Sequence, residues 1–158
     1  MNRILAFAFV CLLIACNPTS QNKYEFLNKD AAFRTEISTR TGGSFVELSE
    51  GYTYYQEANK NSQTSTVILV HGFSVPSYIW ETTYEALIEK GFHVVVLDLY
   101  GRGFSDNPDT DYTDRLMANQ VLELLNHLNI TKAHLVGLSN GGRIISQAAV
   151  LQPQLVQS

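Results

Sequence analysis

The sequence predicts an α/β fold, a mostly parallel sheet with helices on both faces. Two observations carry this reading. Thr66–Val70 is continuously apolar and β-branched, and His93–Leu97 and Ala133–Leu138 are apolar-rich runs of the same kind, the pattern of strands buried on both faces. A stretch with helical apolar spacing follows each of them, and such alternation implies right-handed crossovers between parallel strands. The composition is that of a folded chain and not a disordered tail: 45% of the 158 residues are hydrophobic and 16% are charged, against roughly 25% charged in an ordinary soluble domain.

The chain opens with a short basic start, Met1-Asn2-Arg3, and an uncharged apolar run from Ile4 to Cys16. A membrane-spanning helix needs about 20 apolar residues, so this run reads as the core of a secretory signal. Leu13-Ile14-Ala15-Cys16 resembles the lipobox of bacterial lipoproteins, in which the cysteine sulfur takes a diacylglycerol before cleavage. The resemblance implies a signal peptide at 1–15 and a lipid on Cys16. It also implies attachment to a bacterial membrane on the non-cytoplasmic side, in the cell envelope. An ordinary signal peptide that happens to contain a cysteine is the other reading. Polar Asn17 to Asn22 fits a tether, and 16–43 is expected to be a lipidated tether and N-terminal extension, with no chemistry assigned to 23–43.

Residues 44–158 are expected to form the folded part. Phe45–Leu48 and Tyr52–Tyr55, joined by Glu50-Gly51, read as a hairpin, and Asn59–Ser62 as a turn. The strand at 66–70 leads to a helix over Trp80–Lys90, with Trp80, Tyr84, Leu87 and Ile88 on one face and Gly91 as its stop. The strand at 93–97 leads to a helix over Arg115–Leu128. The strand at 133–138 leads to a helix over Gly141–Leu151, with Ile144, Ile145, Ala148 and Ala149 inward. Pro153 to Ser158 has the look of a connection toward a further strand.

Several functional classes are disfavoured at once. The net charge is −4 with no basic run, so no nucleic-acid partner is expected. Two cysteines cannot build a disulfide scaffold or a four-ligand zinc site, and no metal site is expected.

The chemistry concentrates at three strand ends. Gly137-Leu138-Ser139-Asn140-Gly141-Gly142 fits G-x-S-x-G between a buried strand and a helix. That order suits a nucleophile elbow, a strained turn that lifts the Ser139 hydroxyl above the sheet at a helix N-terminus. Gly137 and Gly141 would prevent clashes in the turn, and Gly142 would let the helix approach. A plain Gly-Ser loop and a phosphate-binding turn lacking lysine are the bland readings. Val70-His71-Gly72-Phe73 follows the first buried strand and could supply a backbone donor to an oxyanion. In that arrangement the two donors are the N–H groups of Phe73 and Asn140. His71 could be read as a general base; its place in the turn suits bracing the loop better. Asp98 and Ser105, in Asp98-Leu99-Tyr100-Gly101-Arg102-Gly103-Phe104-Ser105-Asp106, read as loop-shaping residues. His93, His127 and His134 read as structural.

These three motifs, in this order on these elements, resemble the α/β-hydrolase superfamily over roughly residues 44–158. The resemblance implies that Ser139 is the nucleophile toward small ester-like substrates, with Phe73 and Asn140 as oxyanion donors and no cofactor. It also implies a triad acid and histidine on later strands, in the order Ser, acid, His. Residues 140–158 hold no Asp, Glu or His, so the chain provides neither partner. The expectation is therefore the N-terminal part of a longer hydrolase, a fold cut after the elbow and its helix. The alternative is a non-catalytic, membrane-anchored binding or assembly fragment. An unpaired last strand would then be an apolar edge open to self-association.

Overall fold

The computed structural model describes residues 29–62 and 64–158. The expected signal segment at 1–15, and Cys16, lie outside the described residues. In order, the elements are α1 (Ala31–Thr41), β1 (Ser44–Leu48), β2 (Gly51–Ala58), β3 (Thr66–Val70), α2 (Glu81–Glu89), β4 (His93–Leu97), α3 (Asp114–His127), β5 (His134–Gly137) and α4 (Asn140–Leu151). Single 3₁₀ turns at Ser77–Trp80 and Pro153–Leu155 precede α2 and follow α4. The helix expected from Trp80 thus begins as a 3₁₀ turn and becomes α-helical at Glu81.

The five strands lie in the order β1-β2-β4-β3-β5. β3 runs parallel to both β4 and β5, while β2 is antiparallel to β1 and β4. The hairpin therefore forms one antiparallel flank of an otherwise parallel sheet. Alternation along β3 and β4 buries both faces. Ile68, Val70, Val95 and Leu97 face α3 and α4, meeting Val121, Leu125 and Ile144. Val67, Leu69, Val94 and Val96 face α2, meeting Trp80, Tyr84 and Leu87. Continuous apolar runs are what two covered faces demand.

Two features depart from the sequence reading. Residues 31–41 form a helix. Asp30 Oδ1 accepts from Phe33 N–H at 2.9 Å at its start, and Gly42 ends it at φ 70° with its N–H on Ser38 O at 2.9 Å. The outer edge of β5 is also partly paired. Val156 bridges Ala133 in parallel, Gln157 N–H donates to Ala133 O at 2.8 Å, and Leu135 N–H donates to Ser158 O at 2.9 Å. The exposed apolar part of this strand end reduces to Val136 and Leu138. No helix among the described residues is long and apolar enough to cross a membrane.

The remaining histidines sit away from the strand ends that carry the motifs. His93, at the start of β4, is buried between Thr66 Oγ1 (3.0 Å) and Glu57 Oε1 (2.8 Å). His134, at the start of β5, meets Ser158 Oγ at 2.7 Å, and His127 closes α3. Since β3, β4 and β5 are parallel, both strand histidines lie at the end of the sheet opposite Ser139.

Candidate active site

β5 ends at Gly137, and Leu138 N–H is tied to Val70 O at 3.0 Å. The chain then turns through Ser139 at φ 52° and ψ −117° and enters α4 at Asn140. A non-glycine residue at positive φ is strained, and the elbow holds it there with Gly141 N–H on Leu138 O (2.8 Å) and Gly142 N–H on Ser139 O (3.0 Å). Ser139 precedes the helix yet makes no side-chain capping bond. Its hydroxyl is exposed and not committed to the helix end.

The turn closes only because two positions lack side chains. A Cβ on Gly137 would lie 2.5 Å from the Gly141 carbonyl group, and one on Gly141 would lie 2.6 Å from His71 O and also overlap Val70 O. Gly142 is different: the nearest atom to a Cβ there is Gly137 O at 3.8 Å, an ordinary contact. The expectation that Gly142 is needed for helix approach is corrected. Only Gly137 and Gly141 are sterically required.

The His71–Phe73 loop lies against this elbow. A Cβ on Gly72 would be 3.2 Å from both Ser139 Cβ and Leu138 O. Among the described residues, neither Phe73 N–H nor Asn140 N–H has a hydrogen-bond acceptor. Both residues line a small cavity of about 50 Å³ with Gly72, Leu99, Arg102, Tyr112, Asp114 and Met117. Ser139 borders an adjoining open cleft with Asp114, Arg143 and Ser146. The three residues singled out from sequence thus gather at one end of the sheet, beside the N-terminus of α4, where partial positive charge favours an anion.

His71 is fully buried and both ring nitrogens are occupied. Nδ1 meets Gly72 O at 2.7 Å, and Nε2 accepts from Leu99 N–H at 2.9 Å. Burial pushes its pKa below the usual histidine value, partly offset by the hydrogen bond to Gly72 O and the charge of Asp98. A ring so engaged has no nitrogen free to take a proton from Ser139. Its role is to brace the loop.

Asp98 is likewise inside the structure of its turn. Oδ1 accepts from Ser77 N–H (2.7 Å) and Oδ2 from Phe104 N–H (2.8 Å). Ser105 Oγ donates to Asp98 O at 2.5 Å and accepts from Tyr54 N–H at 2.9 Å. Gln120, reaching from α3, donates to Asp98 O at 3.1 Å and accepts from Tyr100 N–H at 2.9 Å. These bonds satisfy a buried turn and leave neither Asp98 nor Ser105 free for chemistry.

Sequence reasoning passed over two residues. Arg102 reaches from the β4 turn to the other loop; its guanidinium stands 4.4 Å from the Phe73 ring centroid, and its Nε donates to Phe73 O. Asp114, at the start of α3, borders both the cavity and the cleft and pairs with Arg143 at 2.6 Å. The available signal for Arg102 was a lone long cation flanked by two glycines in this turn. Among the described residues no group of three or more His, Cys, Asp or Glu is placed to hold a metal ion.

A family model described as alpha/beta hydrolase fold matches residues 65–158. The uncharacterized hydrolase YugF of Bacillus subtilis is 34% identical over 107 residues, covering 67% of this chain and 39% of the relative. The putative carbamate hydrolase RutD of Pantoea ananatis is 36% identical over 107 residues, covering 66% of this chain and 38% of the relative. A solved structure from work on carboxylesterases of the thaumarchaeon Nitrososphaera gargenis superposes with a TM-score of 0.67. It is 29% identical, with 72% of this chain and 43% of that chain covered. The chain spans well under half the length of these relatives.

Proposed function

The chain belongs to the α/β-hydrolase fold family, and from that premise we propose that it carries the nucleophile part of a serine hydrolase acting on ester or related carbonyl substrates. The observation that carries this reading is the strained, uncommitted Ser139 beside the two free amides of Phe73 and Asn140. Ser139 Oγ attacks the carbonyl carbon and passes its proton to a general base. The carbonyl oxygen, now negative, is held by the two N–H groups and the α4 N-terminus. Collapse of the tetrahedral species expels the alcohol and leaves an acyl-enzyme, which water then hydrolyses.

No histidine of the described residues reaches Ser139, so this reading draws the base and its acid partner from outside these 158 residues, as the N-terminal part of a longer enzyme. Without them the hydroxyl stays protonated near neutral pH, and loss of triad function lowers turnover by about 10⁶. The second reading is a non-catalytic anchored fragment that retains the elbow. The reading further places the protein on a bacterial membrane through lipid on Cys16, and confines any self-association to the Val136–Leu138 strand end. Membrane fractionation of Cys16→Ser tests the anchor; an equally membrane-bound variant would refute it.

A fluorophosphonate probe applied to the protein extended by its downstream sequence tests the enzyme reading. Labelling mapped to Ser139 and lost in Ser139→Ala is the expected result. An extended protein that stays unlabelled supports the non-catalytic reading instead.

A further inference from the structure

We propose that His71 and Arg102 are positioning residues that clamp, from opposite ends, the two peptide planes meeting at Phe73, and so aim its N–H into the small cavity shared with Asn140. The proposal rests on the reading of Phe73 N–H as an oxyanion donor.

Peptide planarity couples the Phe73 donor to the Gly72 carbonyl. Phe73 N–H and Gly72 C=O belong to one trans plane and point in opposite directions, so fixing the oxygen fixes the donor. Gly72 O is held by His71 Nδ1 at 2.7 Å. That bond needs a proton on Nδ1, and the opposite nitrogen supplies the reason it is there. Nε2 accepts Leu99 N–H at 2.9 Å, and a neutral ring that accepts at Nε2 carries its proton on Nδ1. The tautomer is thus set by a backbone amide of the neighbouring β4 turn.

The following plane is held from that same turn. Phe73 O accepts from Arg102 Nε, and the guanidinium stacks 4.4 Å from the Phe73 ring centroid. Arg102 is fixed in turn by NH1 on Gly101 O at 2.8 Å. With a held carbonyl on either side, both backbone dihedrals of Phe73 are constrained.

A clamp is needed because packing does not supply one. The Phe73 side chain is 67% exposed, and its N–H has no partner among the described residues. Rotation of the Gly72–Phe73 plane would replace a donor facing the cavity with a carbonyl oxygen. An oxyanion would then meet repulsion where it needs a hydrogen bond.

The test measures the orientation of the Phe73 N–H vector by residual dipolar couplings in the 158-residue chain and in His71→Ala, His71→Asn, Arg102→Ala and Arg102→Lys. The second-order rate of Ser139 labelling by a fluorophosphonate is measured alongside, in the same variants of the extended protein. In the parent chain the coupling should match the fixed plane. It should fall by about half or more in His71→Ala and Arg102→Ala, while couplings in β3 and β5 hold. His71→Asn, whose amide nitrogen stands near the place of Nδ1, should restore it. Labelling should drop about 10-fold or more in His71→Ala, within the loss of about 10²–10³ that follows deletion of one oxyanion donor, and should recover in His71→Asn.

If His71→Ala does not fold, Arg102→Ala and Arg102→Lys, altered at the surface, decide the matter. An unchanged Phe73 vector in both the His71 and Arg102 variants overturns the clamp, whatever the labelling. Labelling that follows thermal stability and not the Phe73 vector also overturns it, since a merely structural role predicts that. A fixed vector in a parent protein that never labels refutes Ser139 as nucleophile and leaves the clamp standing.

Discussion

A Cβ added to Gly141 would lie 2.3 Å from the carbonyl oxygen of Val70, so there is no room for a side chain between the first turn of α4 and the end of β3. A methyl group there overlaps backbone, which cannot rotate away as a side-chain tip can. Gly141→Ala is therefore expected to cost about 1–3 kcal/mol or more, as overpacking of a rigid site does. Gly137→Ala should behave alike, for its Cβ would meet the Gly141 carbonyl group at 2.5 Å. Gly142→Ala should do the reverse. It lies within α4 with its nearest neighbour at 3.8 Å, and exchanging a helical glycine for alanine gains about 0.5–1 kcal/mol. Urea unfolding of the three variants separates these signs. A stable Gly141→Ala variant would show that the elbow can open without loss.

Ser139 itself predicts an inverted preference. Ahead of a helix, glycine is ordinarily no better than a polar cap, but Ser139 makes no capping bond and sits at φ 52°. Strain of this kind costs about 1–3 kcal/mol, and glycine relieves it at an entropic cost of about 0.5–1 kcal/mol. Ser139→Gly should thus be about 1 kcal/mol more stable than Ser139→Ala, which keeps the strained backbone while removing the hydroxyl. Both should lose probe labelling. Equal stabilities in thermal or urea unfolding would mean that the backbone at Ser139 bears no strain.

How much the sequence disclosed depends on what holds each element. The strands at 66–70 and 93–97 were legible to the residue, because burial on both faces leaves an unbroken apolar run. The elbow was legible because its glycines are local requirements. Helix α1 was not, since only Ile37 of its residues is buried and no apolar stripe marks it. Its start and stop were nevertheless written in Asp30 and Gly42. The Arg102–Phe73 contact was illegible for another reason: it joins two loops whose meeting depends on the β3–β4 register, and neither loop signals the other.

For α1, that diagnosis gives a prediction. Little apolar burial leaves the helix dependent on its cap, and Asp30→Ala should cost about 0.5–2 kcal/mol. The loss should appear as weakened amide protection across 31–41, with β3 and β4 unaffected, because Asp30 Oδ1 serves Phe33 N–H at the helix start. Uniform loss of protection throughout the sheet would show instead that α1 and the core unfold as one unit.

The buried His71 makes stability depend on pH with a definite sign. Its pKa is lowered in the folded state, chiefly by burial and slightly by the Arg102 charge, against opposing contributions from Gly72 O and Asp98. In the unfolded chain the same imidazole takes up a proton near pH 6.5. Between the lowered folded value and about 6.5 the unfolded state binds more protons, so stability falls as pH falls through that window. The contribution is fully present above about pH 6.5 and exhausted below the folded pKa. The slope from this one group cannot exceed about 1.4 kcal/mol per pH unit. Protonation would also place a hydrogen on Nε2, against the Leu99 N–H it accepts. His71→Asn cannot titrate, so its urea midpoint should be flatter than that of the parent from about pH 7 downward, by the slope assigned to His71. Parallel pH profiles for the two proteins would place the imidazole in contact with solvent and contradict a neutral, Nδ1-protonated ring.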